Sequence, residues 1–226
     1  MNHVHRHSYA SRFVFVAMAA AFAVAIQPDW KIVVCGSSPT SLGAPLATLA
    51  RYNSNGSLDT SFGTNGIVTT SDVALPTVIV LQTDYAIVVA GSIVFRGDTE
   101  TMNVVRYTSN GTLDASFGTG GIVTLSNDQG ATSSALALQP NGGILYANGF
   151  LLFRLLPNGE LDVSFGSGGQ AALAGEDAVA LAVLSNGKIL VAGTASGGTI
   201  SRYKCQRYTR HHLRNQRAIG HHRNGG

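Results

Sequence analysis

Three aspartates recur in one setting. Asp59, Asp114 and Asp162 each stand in the block Leu-Asp-x-Ser-Phe-Gly, as Leu58-Asp59 with Phe62-Gly63, Leu113-Asp114 with Phe117-Gly118, and Leu161-Asp162 with Phe165-Gly166. Carboxylates can serve general acid–base catalysis, and loops rich in oxygen ligands suit calcium. Both roles need groups that converge. These aspartates lie 55 and 48 residues apart, once per unit of chain, a spacing that suits one turn made three times rather than a single active site. No histidine occurs between Ser8 and Arg210, and no EF-type cluster surrounds the aspartates. No catalytic residue, metal or cofactor is expected.

Other chemical signals are weaker still. Gly118 to Gly121 is followed by no lysine and helix, so these are turn glycines rather than a phosphate loop. Asn55-Gly56-Ser57 and Asn110-Gly111-Thr112 match a glycosylation acceptor, but a turn already explains them. His211, His212, His221 and His222 resemble a metal-binding tract yet lack the spacing that a zinc site imposes. They belong to a basic C-terminal run. Through Tyr203 nine Lys and Arg face all twelve acids, whereas the last 23 residues hold six basic residues and no acid, which brings the net charge to +3.

Behind the aspartates lies an internal repeat. ARYNSNGSLDTSFGTNGIVTT from Ala50, VRYTSNGTLDASFGTGGIVTL from Val105 and FRLLPNGELDVSFGSGGQAAL from Phe153 align without gaps. A second motif keeps step: AIQPDWKIVVCGS from Ala25, VLQTDYAIVVAGS from Val80, ALQPNGGILYANG from Ala137 and VLSNGKILVAGTA from Val183. Apolar β-branched runs bounded by Gly, Pro, Asn and Asp read as strands. Asn-Gly pairs such as Asn55-Gly56 and Asn141-Gly142 predict type I′ hairpins. In the first unit four strands are expected near residues 22–27, 31–36, 46–53 and 66–70. Only 12% of residues are charged while glycine numbers 27, as strands and tight turns require. The chain reads as all-β, a partial β-propeller of about three and a half four-stranded antiparallel blades. In this reading Leu58 and Phe62 bury between blades, Asp59 accepts an amide two residues on, and Gly63 supplies a left-handed φ.

The pairing of these two half-motifs resembles the delta-60 repeat, a bacterial repeat predicted to form β-propellers, often in large secreted or surface proteins. The resemblance covers residues 21 to 203, in units near 21–75, 76–130, 131–175 and an incomplete 176–203. It implies no catalytic residue, ligand or substrate. Trp30 and Tyr85 depart from the pattern, standing where the hairpin glycine belongs, either to fill space or at the cost of strain.

The ends have readings of their own. Residues 1–20 are a candidate signal peptide: a basic stretch ending at Arg12 precedes the apolar run from Phe13 to Ala25, with A-x-A sites at Ala21 to Ala23 and Ala23 to Ala25. That run is shorter than the roughly 20 residues that span a membrane. Cleavage after Ala25 would remove the first strand. At the other end, arginines 106, 154 and 202 are evenly spaced by 48, so a fourth Asn-x-Asn-Gly-x-Leu-Asp block is due at residue 204. KCQRYTRHHLRNQR stands there. Deleting one base from a permissible codon for Lys204 yields Tyr-Asn-Ala-Asn-Gly-Thr-Leu-Asp-Thr-Thr-Phe-Gly, the missing block. Residues 204–226 are therefore read as a frameshifted, disordered tail, which removes the one hint of a nucleic-acid partner. Cys35 and Cys205 form no framework.

The function expected is non-catalytic, a secreted or surface scaffold or binding module. Its partners would be further propeller blades, another protein or a carbohydrate, with no nucleic acid and no membrane span. The alternatives are a hydrolase or lyase built on loops at a propeller's centre, or a truncated product without function. An open arc also leaves unpaired edges that invite association.

Overall fold

The computed structural model describes residues 18–39, 46–73, 75–94, 100–126, 133–173, 177–194 and 198–204. The candidate basic n-region, the apolar run from Phe13 to Ala17 and the tail from Cys205 onward lie outside the described residues. All described regular structure is strand. The first sheet holds β1 (Ala20–Ile26), β2 (Ile32–Ser38), β3 (Leu46–Tyr52) and β4 (Ile67–Thr70). The second holds β5 (Leu75–Leu81), β6 (Ile87–Val94), β7 (Glu100–Tyr107) and β8 (Ile122–Ser126). The third holds β9 (Ser134–Leu138), β10 (Ile144–Asn148), β11 (Leu151–Leu155) and β12 (Gln170–Ala172), and the fourth β13 (Asp177–Val183), β14 (Ile189–Thr194) and β15 (Thr199–Tyr203).

Each sheet is an antiparallel meander in chain order. The first strands pack on one another from sheet to sheet, β1 on β5, β5 on β9 and β9 on β13. They form the inner side of an arc, with β4, β8 and β12 on its outside. Because strands alternate in direction, the turn between a blade's first and second strands and the turn between its third and fourth lie at the same end.

Alternation along the middle strands feeds a separate core at each blade boundary. Val33, Cys35, Leu49 and Phe62 of blade one meet Ile79, Ile87, Val89 and Tyr107 of blade two. Val88, Val104 and Phe117 meet Leu136, Ile144, Tyr146 and Phe153. Leu145, Leu152 and Phe165 meet Ile189, Val191 and Tyr203. The faces at either end of the arc are uncovered: Val24 is 61% exposed, whereas Ile79 and Leu136, at the same position in blades two and three, are each 7% exposed.

Two features correct the sequence reading. The Asn-Gly turns are not type I′. Gly56, Gly111, Gly142, Gly159 and Gly187 have positive φ, but the asparagines before them do not. Asn53 O accepts from Gly56 N while Asn53 N donates to Ser57 O, a type I turn closed by a glycine bulge. Asn55 stays at negative φ because its Oδ1 accepts the Ser57 amide at 3.0 Å. The fourth copy of the hairpin motif also sits one residue differently: Leu184, not Ser185, takes the position of Gln27, donating to Lys188 O as Gln27 donates to Lys31 O.

A bulge recurs on the inner strand, at Phe22, Thr77 and Val179. It presses the inner strand onto Gly36 and Gly91, where an added Cβ would stand 2.0 Å from Ala20 O and Leu75 O. Blade three has no bulge, and Asn148 occupies the corresponding position there, paired with Ser134.

Candidate functional site

The repeated block closes each blade onto the next, and an arginine at its centre does most of the bonding. Arg51 leaves β3 beside the loop that runs from Asn53 to Gly66. Its Nε donates to Asp59 Oδ2 at 2.7 Å, its Nη2 reaches Ser61 Oγ at 3.4 Å, and its Nη1 crosses to blade two, donating to Ser109 O at 2.5 Å. The guanidinium carbon stands 4.6 Å above the centre of the Phe62 ring. Asp59 Oδ1 accepts the Ser61 amide at 3.1 Å and its hydroxyl at 2.6 Å, an Asx turn. Gly63 N donates to Asn110 O at 2.8 Å, at a φ of 53°. A Cβ on Gly111 would come within 2.8 Å of the Phe62 ring, so the ring of one blade needs the bare glycine of the next.

Blade two repeats this clamp. Arg106 donates to Asp114 at 2.7 Å, to Ser116 at 3.1 Å and to Pro157 O of blade three at 2.6 Å, over the Phe117 ring at 4.6 Å. Gly118 N donates to Asn158 O at 2.7 Å. In blade three Arg154 donates to Asp162 at 2.8 Å and to Ser164 at 3.2 Å, with its guanidinium 4.6 Å over Phe165. The turn of blade four due to face it falls in residues 205–226, outside the described residues. Phe62, Phe117 and Phe165 are buried. Leu58, Leu113 and Leu161 are half-buried, each resting on a glycine of its own loop, Gly66, Gly121 and Gly169.

These carboxylates are ion-paired and hydrogen-bonded on both oxygens. Burial alone would raise the Asp59 carboxyl, but the Ser61 hydroxyl and amide, the Lys31 ammonium and the Arg51 charge hold it well below the usual carboxylate range. Lys31 Nζ lies 3.1 Å from Asp59 Oδ2; Ala86 and Gly143 stand at that position in blades two and three. The Ser116 hydroxyl is the chief cause of the lowering at Asp114; at Asp162 the Ser164 hydroxyl and amide and Arg154 outweigh burial. Such groups are poor proton donors or acceptors near neutral pH. Beside the first clamp an open groove of about 420 Å³ is lined by Gly63, Thr64, Ile67, Val68, Thr69 and Gly111, none of them titratable. Among the described residues no three His, Cys, Asp or Glu gather as for a metal ion. The Cys35 thiol is pushed up to about 12 by burial.

The arginines were the residues that sequence reasoning used only as register marks. Their signal was available: each precedes its aspartate by eight residues in a chain poor in charge.

At the same end lie the inner turns. Trp30 and Tyr85 close them in the bulge position at φ 65° and 67°, where blades three and four have Gly142 and Gly187. At Trp30, 70% exposed, the open choice between filling space and strain resolves to strain; Tyr85, 38% exposed, holds the same strained φ while covering more of its surface.

Comparison with known proteins agrees with this geometry. A family model described as a domain of unknown function, DUF5122, beta-propeller, matches residues 27–62 and 84–117. Each matched segment starts in an inner turn and ends on a clamp phenylalanine. The chain is an arc of a β-propeller. A crystal structure of a protein of unknown function from Bacteroides caccae is similar at a TM-score of 0.57 and 14% identity, covering 89% of this chain and 61% of that one. A glucose dehydrogenase structure is similar at 0.55 and 11%, covering 82% and 60%. The chain spans about three fifths of the length of these two structures, and the likeness is one of fold. No curated protein matches it. Among the described residues no helix is long and apolar enough to cross a membrane.

Proposed function

We propose that this chain is a non-catalytic binding or scaffold module of the delta-60 repeat type, acting outside the cell. The observation that carries the reading is the fate of the repeated carboxylates. Asp59, Asp114 and Asp162 each spend both oxygens on arginine and serine within a blade junction, so the one polar constellation the sequence repeats is used to build the fold. The uncovered apolar faces, with Val24 and Ile26 on blade one and Ile200 on blade four, support further blades as structural partners. Secretion places a limit on processing: both A-x-A sites lie inside β1, which pairs with β2 from Ala20 to Ile26. A mature N-terminus at or before Ala20 keeps that strand, and N-terminal sequencing of the exported protein reads it directly. The non-catalytic reading is tested by incubating the purified chain with chromogenic esters, lactones and glycosides and with uronic-acid polymers. Turnover that tracks the protein through purification would overturn it.

A further inference from the structure

Trp30 and Tyr85 hold a conformation that glycine holds in the equivalent turns of blades three and four. A bulky residue at left-handed φ is an outlier that the surrounding structure must impose. Trp30 recovers little of the cost by burial, being 70% exposed, and Tyr85 still leaves 38% of its surface open to solvent. The same two turns carry a second penalty: Gln27 Oε1 and Gln82 Oε1, on the residue that opens each turn, are buried with no hydrogen-bond partner among the described residues. Two neighbouring turns thus hold aromatic rings outward in a geometry unfavourable to folding. That is the pattern of residues kept for contact rather than for stability.

Their place narrows the contact. Each turn leaves an inner strand, and β1 packs on β5, so the two rings stand on adjacent blades at the inner rim of the arc. Each turn also exposes an aspartate, Asp29 and Asp84, with one oxygen tied to the amide two residues on, Lys31 N at 3.3 Å and Ala86 N at 3.1 Å; the second oxygen of Asp29 lies 3.8 Å from Lys31 Nζ, an exposed pair that a ligand hydroxyl can join. Flat apolar faces flanked by hydroxyl-accepting carboxylates match a pyranose, which offers C–H faces and donor hydroxyls together. An extended proline-rich peptide also stacks on aromatic rings, but its carbonyls are acceptors and cannot bond to carboxylates.

We propose that Trp30 and Tyr85 form a stacking platform for a linear pyranose oligosaccharide at the inner rim of blades one and two. The proposal rests on the binding-module reading and names its ligand class. Trp30 is the single tryptophan of the chain, so its emission reports this site without interference. The test titrates the full chain with cellohexaose, chitohexaose, mannohexaose and xylohexaose, and separately with a proline decamer. The expected result is a saturable shift of emission with at least one hexasaccharide and none with the decamer. Tyr85→Ala, which keeps the tryptophan, should weaken binding at least tenfold. Trp30→Gly and Tyr85→Gly should abolish binding by calorimetry while leaving Tm unchanged or raised, a result that a packing role would reverse. No saturable response to any sugar, a response to the decamer alone, or a clear fall in Tm for the glycine variants would overturn the proposal. Cleavage of a bound sugar would instead leave the platform standing and remove the non-catalytic reading.

Discussion

Replacing Arg106 by alanine removes the centre of one blade junction and leaves everything else in place. The Asp114 carboxylate, 21% exposed at its side chain, would keep only its Ser116 bonds, and Pro157 O in the next blade would lose its donor. Breaking a buried ion pair by deleting one partner costs about 3–5 kcal/mol, and the partial exposure of Asp114 places this case near the lower end, about 3 kcal/mol. Arg106→Lys is the informative companion. An ammonium keeps the charge but cannot reach Asp114, Ser116 and Pro157 O together, so two of three hydrogen bonds go, at about 1 kcal/mol each. Urea unfolding followed by far-UV circular dichroism measures both variants against the parent. A double-mutant cycle of Arg106→Ala with Asp114→Ala should give a coupling of about 2 kcal/mol. If Arg106→Ala costs less than about 1 kcal/mol, the value of an exposed surface pair, the junction is decoration and the structural account of the repeat fails.

Further outcomes follow from the same geometry. Phe62→Ala opens a cavity in the first blade boundary and should cost about 3–5 kcal/mol, so an unaltered melting curve counts against burial between blades. Gly91→Ala places a Cβ 2.0 Å from Leu75 O and should unfold blade two locally, read as lost amide-exchange protection in β5 and β6; Asn148→Ala, where there is no bulge, should spare β9 and β10. The clamp aspartates are depressed in the folded state, so their stabilisation is present above the unfolded carboxylate value of about 4 and is lost as pH falls through the folded values. Urea midpoints should therefore drop below pH 4, and Asp114→Asn should flatten that dependence; an unchanged slope would exclude the group as a source. Charging the uncovered faces with Val24→Lys and Ile200→Lys should reduce self-association in sedimentation experiments without lowering Tm, because both side chains are already largely exposed.

Blade count and strand positions were legible in the sequence because a repeat reports the same local choices several times. The four strands expected in the first unit lie within about two residues of β1 to β4. Turn chemistry was legible only in part. Asn-Gly correctly marks a reversal, yet the pair is compatible with two turn types, and the Asx bond from Asn55 Oδ1 that selects between them depends on the residue after the glycine. The clamp was half legible: aspartate, serine, phenylalanine and glycine lie together in one block, whereas the arginine that binds them sits on the preceding strand and spends a third bond on another blade. A contact across some 50 residues leaves no local pattern. It leaves only equal offsets, visible once the copies are stacked.

The exchange of glycine for an aromatic residue is the place where local rules and the fold disagree, and the disagreement has a measurable size. A non-glycine residue in the left-handed region costs roughly 1–2 kcal/mol. Glycine there would return that amount less the roughly 0.5–1 kcal/mol by which its freer unfolded chain disfavours folding. Trp30→Gly is thus expected to be neutral or to stabilise by up to about 1.5 kcal/mol. Asn65, the one other non-glycine residue with positive φ among the described residues, separates the two explanations. Asparagine tolerates this region through its short polar side chain, so Asn65 is what a turn selects when only folding matters. Tryptophan and tyrosine are not what such selection yields. Equal gains from Trp30→Gly and Asn65→Gly would mean that the backbone treats them alike, and a larger gain at Trp30 would mark a residue held there against the interest of the fold.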